Sequence, residues 1–422
     1  MLDALRNAWR IADLRKKILY TVGLLVIYRL GSYVPVPGVD ANLLASRLDM
    51  SGGNIFGFLD LFAGGAFSRF SVFAMNVGPY ITSSIIIQLL TIVVPQLEQL
   101  AKEGPEGRRK ISNYTRYGTV VLALIQGFAV TVTARAYGVI ANPGAFTTLL
   151  IVVTLTAGTM FVVWLGEKIS AKGIGNGISL IIFTGIVARI PGELYTAIRG
   201  IGVGALSAIS VIVFLVLSLV VIVGVIMIQQ AERRIPVQYA KRVVGRKMYG
   251  GQSTNIPLKV NQAGVIPVIF ASSVLTFPLT LAQFIPAIEG VNRFIGYGTL
   301  GYNILYALLV FFFTYFYTAV TFNPIEVADN LKKYGGFIPG RRPGRPTAEY
   351  LDRVLTRITF AGAIFLTVIA LLPNVVSAVT RIPTTIMSFG GTSMLIMVGV
   401  ALDTMKQIEG QLLLRHYEGF MK

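Results

Sequence analysis

LSAISVIVFLVLSLVVIVGVIMIQ, residues 206–229, runs for 24 residues without one charged side chain. A helix of that length reaches about 36 Å, enough to cross a hydrocarbon core of about 30 Å. Nine further apolar runs of comparable kind flank it, at about 18–36, 72–95, 114–135, 147–166, 175–190, 261–284, 303–323, 355–373 and 383–405. The whole chain of 422 residues agrees with this reading, being 54% hydrophobic and only 13% charged, where soluble domains carry roughly 25% charged residues. Mean hydropathy is +0.70, and 44 Gly and 18 Pro suit a helical membrane bundle. The expected fold class is an all-α polytopic membrane protein of ten transmembrane helices. The first run is read as a retained helix, because it ends at Pro35 and Pro37 without a small-residue cleavage site.

Ten spans return both termini to one side, and basic residues choose the side. Of 37 Lys and Arg, 29 fall on the tails and the connections after spans two, four, six and eight, and 7 on the opposite face. The positive-inside bias therefore predicts cytoplasmic termini. Two cytoplasmic connections, 230–260 and 324–354, are longer than a helix joint needs and hold about seven basic residues each. Their Gly and Pro punctuation, in FIPGRRPG (337–344) and QSTNIPLKVN (252–261), predicts shaped hairpins and docking surfaces. The bland alternative is that these charges only enforce topology.

The single His, His416, and the absence of Cys remove a Ser-His dyad, thiol chemistry and the common zinc sites. No enzyme activity and no cofactor is expected. Spans two, four, six, seven and eight hold no charged residue, and the rest sit near span ends, as Arg116, Arg135, Arg189, Arg357 and Asp403 do; Arg29 is expected to snorkel outward. An ion-coupled transporter built on midplane carboxylates is therefore disfavoured. Spans two and seven instead break their apolar runs with Pro79 and Pro267, read as kinks, and with small polar residues. Thr82, Ser83, Ser84 and Gln88 on one, and Asn261, Gln262, Ser272 and Ser273 on the other, read either as ordinary interhelical glue or as a seam that can open. Span five opens on GIGNGIS (173–179), small-residue packing rather than a phosphate loop. IFGFLDLFAGGA (55–66) is too short to cross, and reads equally as a re-entrant half-helix or an interfacial helix.

Seven motifs in order, YRLGSYVPVPGVD (28–40), FAGGAFSRFSVFA (62–74), KEGPEGRRKISNYTRYG (102–118), GTMFVVWLGEKISAKGIGNGIS (158–179), QSTNIPLKVNQAGVIPVIFASS (252–273), FNPIEVADNLKKYGGFIPGRRPG (322–344) and FGGTS (389–393), closely resemble the bacterial SecY family of translocon channels. The resemblance covers about residues 10–420. It implies two inverted five-helix halves, 1–190 and 206–422, around a central pore, hinged at an external loop, 191–205. It implies a pore ring at Val77, Ile81, Ile182, Ile269 and Ile396, with Val77 where the family often has Ile. A plug at about 55–66 would include Phe58, Leu59, Asp60, Leu61 and Phe62. The lateral gate would use Thr82, Ser83, Ser84, Gln88, Asn261, Ser272 and Ser273. Arg246, Lys247, Arg341 and Arg342 would meet the motor SecA or the ribosome, with Arg342 foremost. The resemblance also implies SecE and SecG subunits, signal sequences and nascent chains as partners, and the bacterial cytoplasmic membrane as location. An inverted-repeat secondary transporter is the alternative, and an intramembrane protease is remoter still.

Overall fold

The structure, a computed structural model, describes residues 9–40, 43, 60, 63–140, 142–204, 207–239, 242–244, 247–249, 253–282, 296, 299–380 and 391–420. Each of the ten expected spans is represented by a helix: α1 (Ala12–Gly31), α2 (Gly78–Val93), α4 (Pro105–Ala136), α5 (Ala145–Lys172), α6 (Gly177–Gly202), α7 (Ala208–Gln230), α8 (Ile266–Ala282), α9 (Leu300–Thr321), α11 (Arg345–Thr380) and α12 (Gly391–Phe420). Two short helices, α3 (Pro95–Lys102) and α10 (Pro324–Lys333), join them among the described residues. Among the described residues six helices are long and apolar enough to cross a membrane alone, and α2 with α3 makes a seventh candidate bent by 100°.

The boundaries depart from the sequence reading in instructive ways. Span two is shorter than expected, because residues 64–77 fold as turns and α2 starts only at Gly78. Pro79 therefore lies in the first turn, where its missing N–H costs nothing, and does not kink the helix. Pro267 likewise opens α8, whose internal proline is Pro278. The sharp bend comes at Pro95, which holds Val94 extended (ψ 111°) and ends α2. Span five runs longer than expected: α6 continues through Pro191 to Gly202, so most of the expected hinge loop is helical.

Each half is built by neighbour packing, α2 on α4, α4 on α5, α5 on α6 and α1 in the first, α8 on α9, α9 on α11 and α11 on α12 and α7 in the second. Lipid-facing residues ring the outside, as Ile209, Leu219 and Met227 of α7 do, each more than 60% exposed. Inside the spans Thr119, Thr131, Thr156, Thr314 and Thr318 each donate to the carbonyl four residues back, since no water is available to satisfy a hydroxyl there.

The two long connections, 230–260 and 324–354, meet in one three-stranded sheet. β1 (Glu232–Tyr239) pairs antiparallel with β4 (Ser253–Lys259), placing Ile235 opposite Ile256, and β2 (Arg242–Val244) pairs with β3 (Lys247–Tyr249). β5 (Gly336–Phe337), from the second connection, adds to the free edge of β1. Ile235, Val237 and Leu258 share an apolar core with Leu331 of α10, Ile338 and Leu351 of α11. Asn323 caps α10 by accepting from the N–H groups of Ile325 and Glu326.

Candidate functional site

α6 serves as a ruler through the middle of the molecule. At its N-terminal end Asn176 and Ser179 line a cavity of about 520 Å³, walled also by Gln229 of α7, Asn261 and Gln262 before α8, and Asp403 and Gln407 of α12. The amide atoms Gln229 Nε2, Asn261 Oδ1 and Gln262 Oε1 have no protein hydrogen-bond partner among the described residues, so this chamber is polar and has amides left for solvent or a guest chain.

Three to six residues along α6, about 4.5–9 Å, the lining turns apolar. Val77, Ile182, Ile269 and Ile396 are all buried within one apolar cluster, and the half-buried Ile81 packs against it. These five predicted ring residues come from α2 and the residue that precedes it, Val77, and from α6, α8 and α12, so both halves contribute.

A further seven residues along, Arg189 marks the opposite side of the ring from the chamber. Its Nη1 donates to Asp60 Oδ2 at 3.0 Å and its Nε to Glu193 Oε1 at 3.2 Å. The backbone N–H of Ser68 donates to Asp60 Oδ1 at 2.8 Å. Arg29, near the end of α1, reaches the same region: its Nη1 donates to the Gly64 carbonyl at 2.8 Å and its Nη2 to the exposed Tyr33 hydroxyl at 3.2 Å, and both Arg29 and Arg69 lie over the Tyr33 ring. Phe58, Leu59, Leu61 and Phe62 lie outside the described residues.

The halves meet along two seams, α6 with α12 and α2 with α8. The first is pinned next to α6 by Gln407 Oε1, which accepts from Gly175 N–H at 3.0 Å. Lys17 Nζ, on α1, also donates to Gln411 Oε1 of α12 at 3.4 Å. The second lacks such pins among the described residues, and this corrects the expectation of polar pairing across it. Thr82, Gln88 and Ser272 bond within their own helices, to Gly78, Ser84 and Ile269, and Asn261 Nδ2 donates to Gly264. Ser83 faces away from α8 altogether, donating to the Thr115 carbonyl of α4 at 2.8 Å. The physical reason is the apolar surrounding: a short hydroxyl finds its nearest acceptor on a backbone carbonyl before it finds a partner across a helix contact. Ser84 and Ser273 are part-exposed on the same two helices.

The family model of SecY matches residues 71–405 of this chain. The chain belongs to the SecY family. Curated relatives over the full length of the chain are the protein translocase subunits SecY of Streptomyces coelicolor, 49% identical with 100% of each chain covered, and of Mycobacterium tuberculosis, 48% identical with the same coverage. That of Thermotoga maritima is 48% identical over 100% of this chain and 98% of its own. The fold is that of a solved protein-conducting channel, with TM-score 0.68 at 20% identity over 93% of this chain and 91% of that one. Another solved structure, of a SecY whose plug domain is described as stabilising the closed state, matches with TM-score 0.66 at 20% identity over the same shares. Canine Sec61 from a ribosome-channel complex matches with TM-score 0.62 at 18% identity over the same shares.

Within this SecY chain, the basic residues expected to meet partners are arranged unevenly. Arg341 and Arg342 are exposed on the turn after β5, set by Gly340 and Gly344 at φ of +79° and +94°. Arg341 lies over the Tyr350 ring at 5.1 Å, and the Arg342 carbonyl accepts from Thr347 Oγ1 at 2.8 Å, leaving both guanidinium groups facing outward on a fixed turn. Lys247 lies in β3, and Arg246 lies outside the described residues. Sequence reasoning missed the Asp60–Arg189 pair, although a lone carboxylate in an apolar segment signals a basic partner elsewhere.

Proposed function

We infer that this chain is the channel subunit of a protein translocase, passing unfolded secretory polypeptides across the membrane and releasing hydrophobic segments sideways into lipid. The match along its full length, at 48–49% identity, to relatives named protein translocase subunit SecY carries this reading.

The chain's own residues supply the parts. A polar chamber with these amides suits an extended polypeptide, whose backbone needs hydrogen-bond partners until it enters the constriction. The apolar ring of Val77, Ile81, Ile182, Ile269 and Ile396 would exclude ions by dewetting while offering a moving chain nothing to bind. Segment 55–66 would be the plug, and α2 against α8 the principal seam of the lateral gate.

No nucleotide-binding motif is present in the sequence, so the energy for transport comes from partners. SecA or a ribosome would dock on the cytoplasmic body through Arg246, Lys247, Arg341 and Arg342, and SecE and SecG would clasp the bundle. Family membership points to the bacterial cytoplasmic membrane, and the 29 to 7 division of basic residues supports both termini lying inside.

Ile396→Asn tests the reading. Ile396 is fully buried, and an amide there is unpaired among apolar neighbours at a cost of about 1–3 kcal/mol, which weakens the closed state. Reconstituted channels should leak ions, and precursors with weak signal sequences should pass more readily. Unchanged leak together with unchanged export removes Ile396 from the ring.

A further inference from the structure

We propose that Asp60, Arg189 and Glu193 form a latch that ties the segment starting at residue 60 to the external end of α6. The inference rests on the reading of 55–66 as the plug and adds to it the bond that holds it shut.

Asp60 is only 3% exposed. A carboxylate so deeply placed is tolerable only when its charge and lone pairs are met. Arg189 meets the charge through Oδ2, and the Ser68 N–H occupies Oδ1. The Gly65 N–H donates to the Asp60 carbonyl at 3.2 Å, closing the same turn. Glu193 lies one turn along α6 from Arg189 and accepts from its Nε, which orients the guanidinium toward Asp60. Glu193 is therefore a positioning residue for the pair.

The backbone supports the same attachment. Gly64 adopts φ +63°, and a methyl group there would come within 2.5 Å of Gly185 Cα, one turn before Arg189 on α6. Gly64 and Gly185 thus let the segment lie directly on α6, where the ion pair can close. Arg29 of α1 adds a second tie through the Gly64 carbonyl. Apart from the Ser68 and Gly65 bonds within its own turn, each of these contacts is made to α1 or α6, both in the N-terminal half.

The latch is a two-state element. When the segment leaves, Arg189 still has Glu193, and Asp60 enters a wetter space where its charge costs little. The pair therefore favours the seated position without leaving a stranded charge in the displaced one.

The test uses the full chain with its partner subunits in vesicles, and exploits the absence of cysteine. Ala66→Cys, at a position with no exposure, reports the segment's release by its rate of labelling with a membrane-impermeant maleimide from the external side. Asp60→Arg and Arg189→Glu should each speed labelling on the order of tenfold, as expected for a buried pair broken at one partner and partly open to solvent. The double exchange should return the rate to within about threefold of the parent, whereas a merely structural role predicts that it adds the two defects together. Labelling unchanged in the single variants, or as fast in the double exchange as in either single, overturns the latch. Ion leak is measured on the same vesicles: faster labelling without leak upholds the latch and removes the plug reading instead.

Discussion

The two seams between the halves are built differently. Where α6 meets α12, Gln407 holds the Gly175 backbone, and Lys17 of α1 reaches Gln411. Where α2 meets α8, the polar side chains turn back onto their own helices or onto α4, leaving apolar surfaces to make the contact. Apolar helix surfaces match lipid about as well as they match each other, so such a contact separates without stranding a donor. A hydrogen-bonded one does not. On the proposed reading of α2–α8 as the lateral gate, α6–α12 would be the fixed side of the shell and α2–α8 the side that parts.

Covalent locking should break this comparison most sharply. A cysteine pair placed across α2 and α8 should abolish transport when oxidised and restore it on reduction, while a pair across α6 and α12 should leave transport largely intact in both states. Transport through the oxidised α2–α8 form would deny that this seam opens. Charge reversal ranks next. Arg342→Glu should leave membrane insertion normal, since one charge among 29 barely alters the orientation bias, yet reduce motor-driven transport by about tenfold through loss of a charge-assisted contact. Arg199→Glu is the external control: Arg199 is exposed and lies over Tyr195. Equal, small effects of the two would make the cytoplasmic turn ballast. The smallest difference should come from single amides. Gln407→Leu removes the Gly175 contact and should lower stability by about 1 kcal/mol. Gln88→Leu loses only a 3.5 Å contact within α2 and should leave the thermal midpoint unchanged. Equal shifts in melting of the two purified variants would erase the distinction between the seams.

Much of this architecture was legible in the residues. Uncharged runs such as 206–229 announce their surroundings, because burying apolar length is a local property of the chain. The position of a proline relative to its helix is not: Pro79 and Pro267 sit inside apolar runs and read as kinks, but the turns over 64–77 and 260–265 delay each helix until the proline falls in its first turn. The continuation of α6 past Pro191 was hidden by the same ambiguity.

The candidate site divides the same way. The ring positions came from motif resemblance, and no periodicity would have singled out Ile182 from its apolar neighbours. The direction of Ser83 depends on α4, 32 residues away, and the Asp60–Arg189 pair joins residues 129 apart. Pairings of that kind are decided by how helices assemble, which composition and spacing do not encode. The contact of β5 with β1 is another, since a two-residue strand has no pattern to detect.

That short strand has a mechanical consequence. Because β5 closes onto β1, and α10 shares a core with both, a force applied at the Arg341–Arg342 turn is carried by a stiff bracket rather than absorbed by two slack tethers. The bracket is anchored to α7, α8, α9 and α11, all in the C-terminal half. A pushing partner therefore acts off-centre, as a hand on one leaf of a double door. The load becomes a torque of one half against the other, resisted at the hydrogen-bonded α6–α12 seam and relieved at α2–α8.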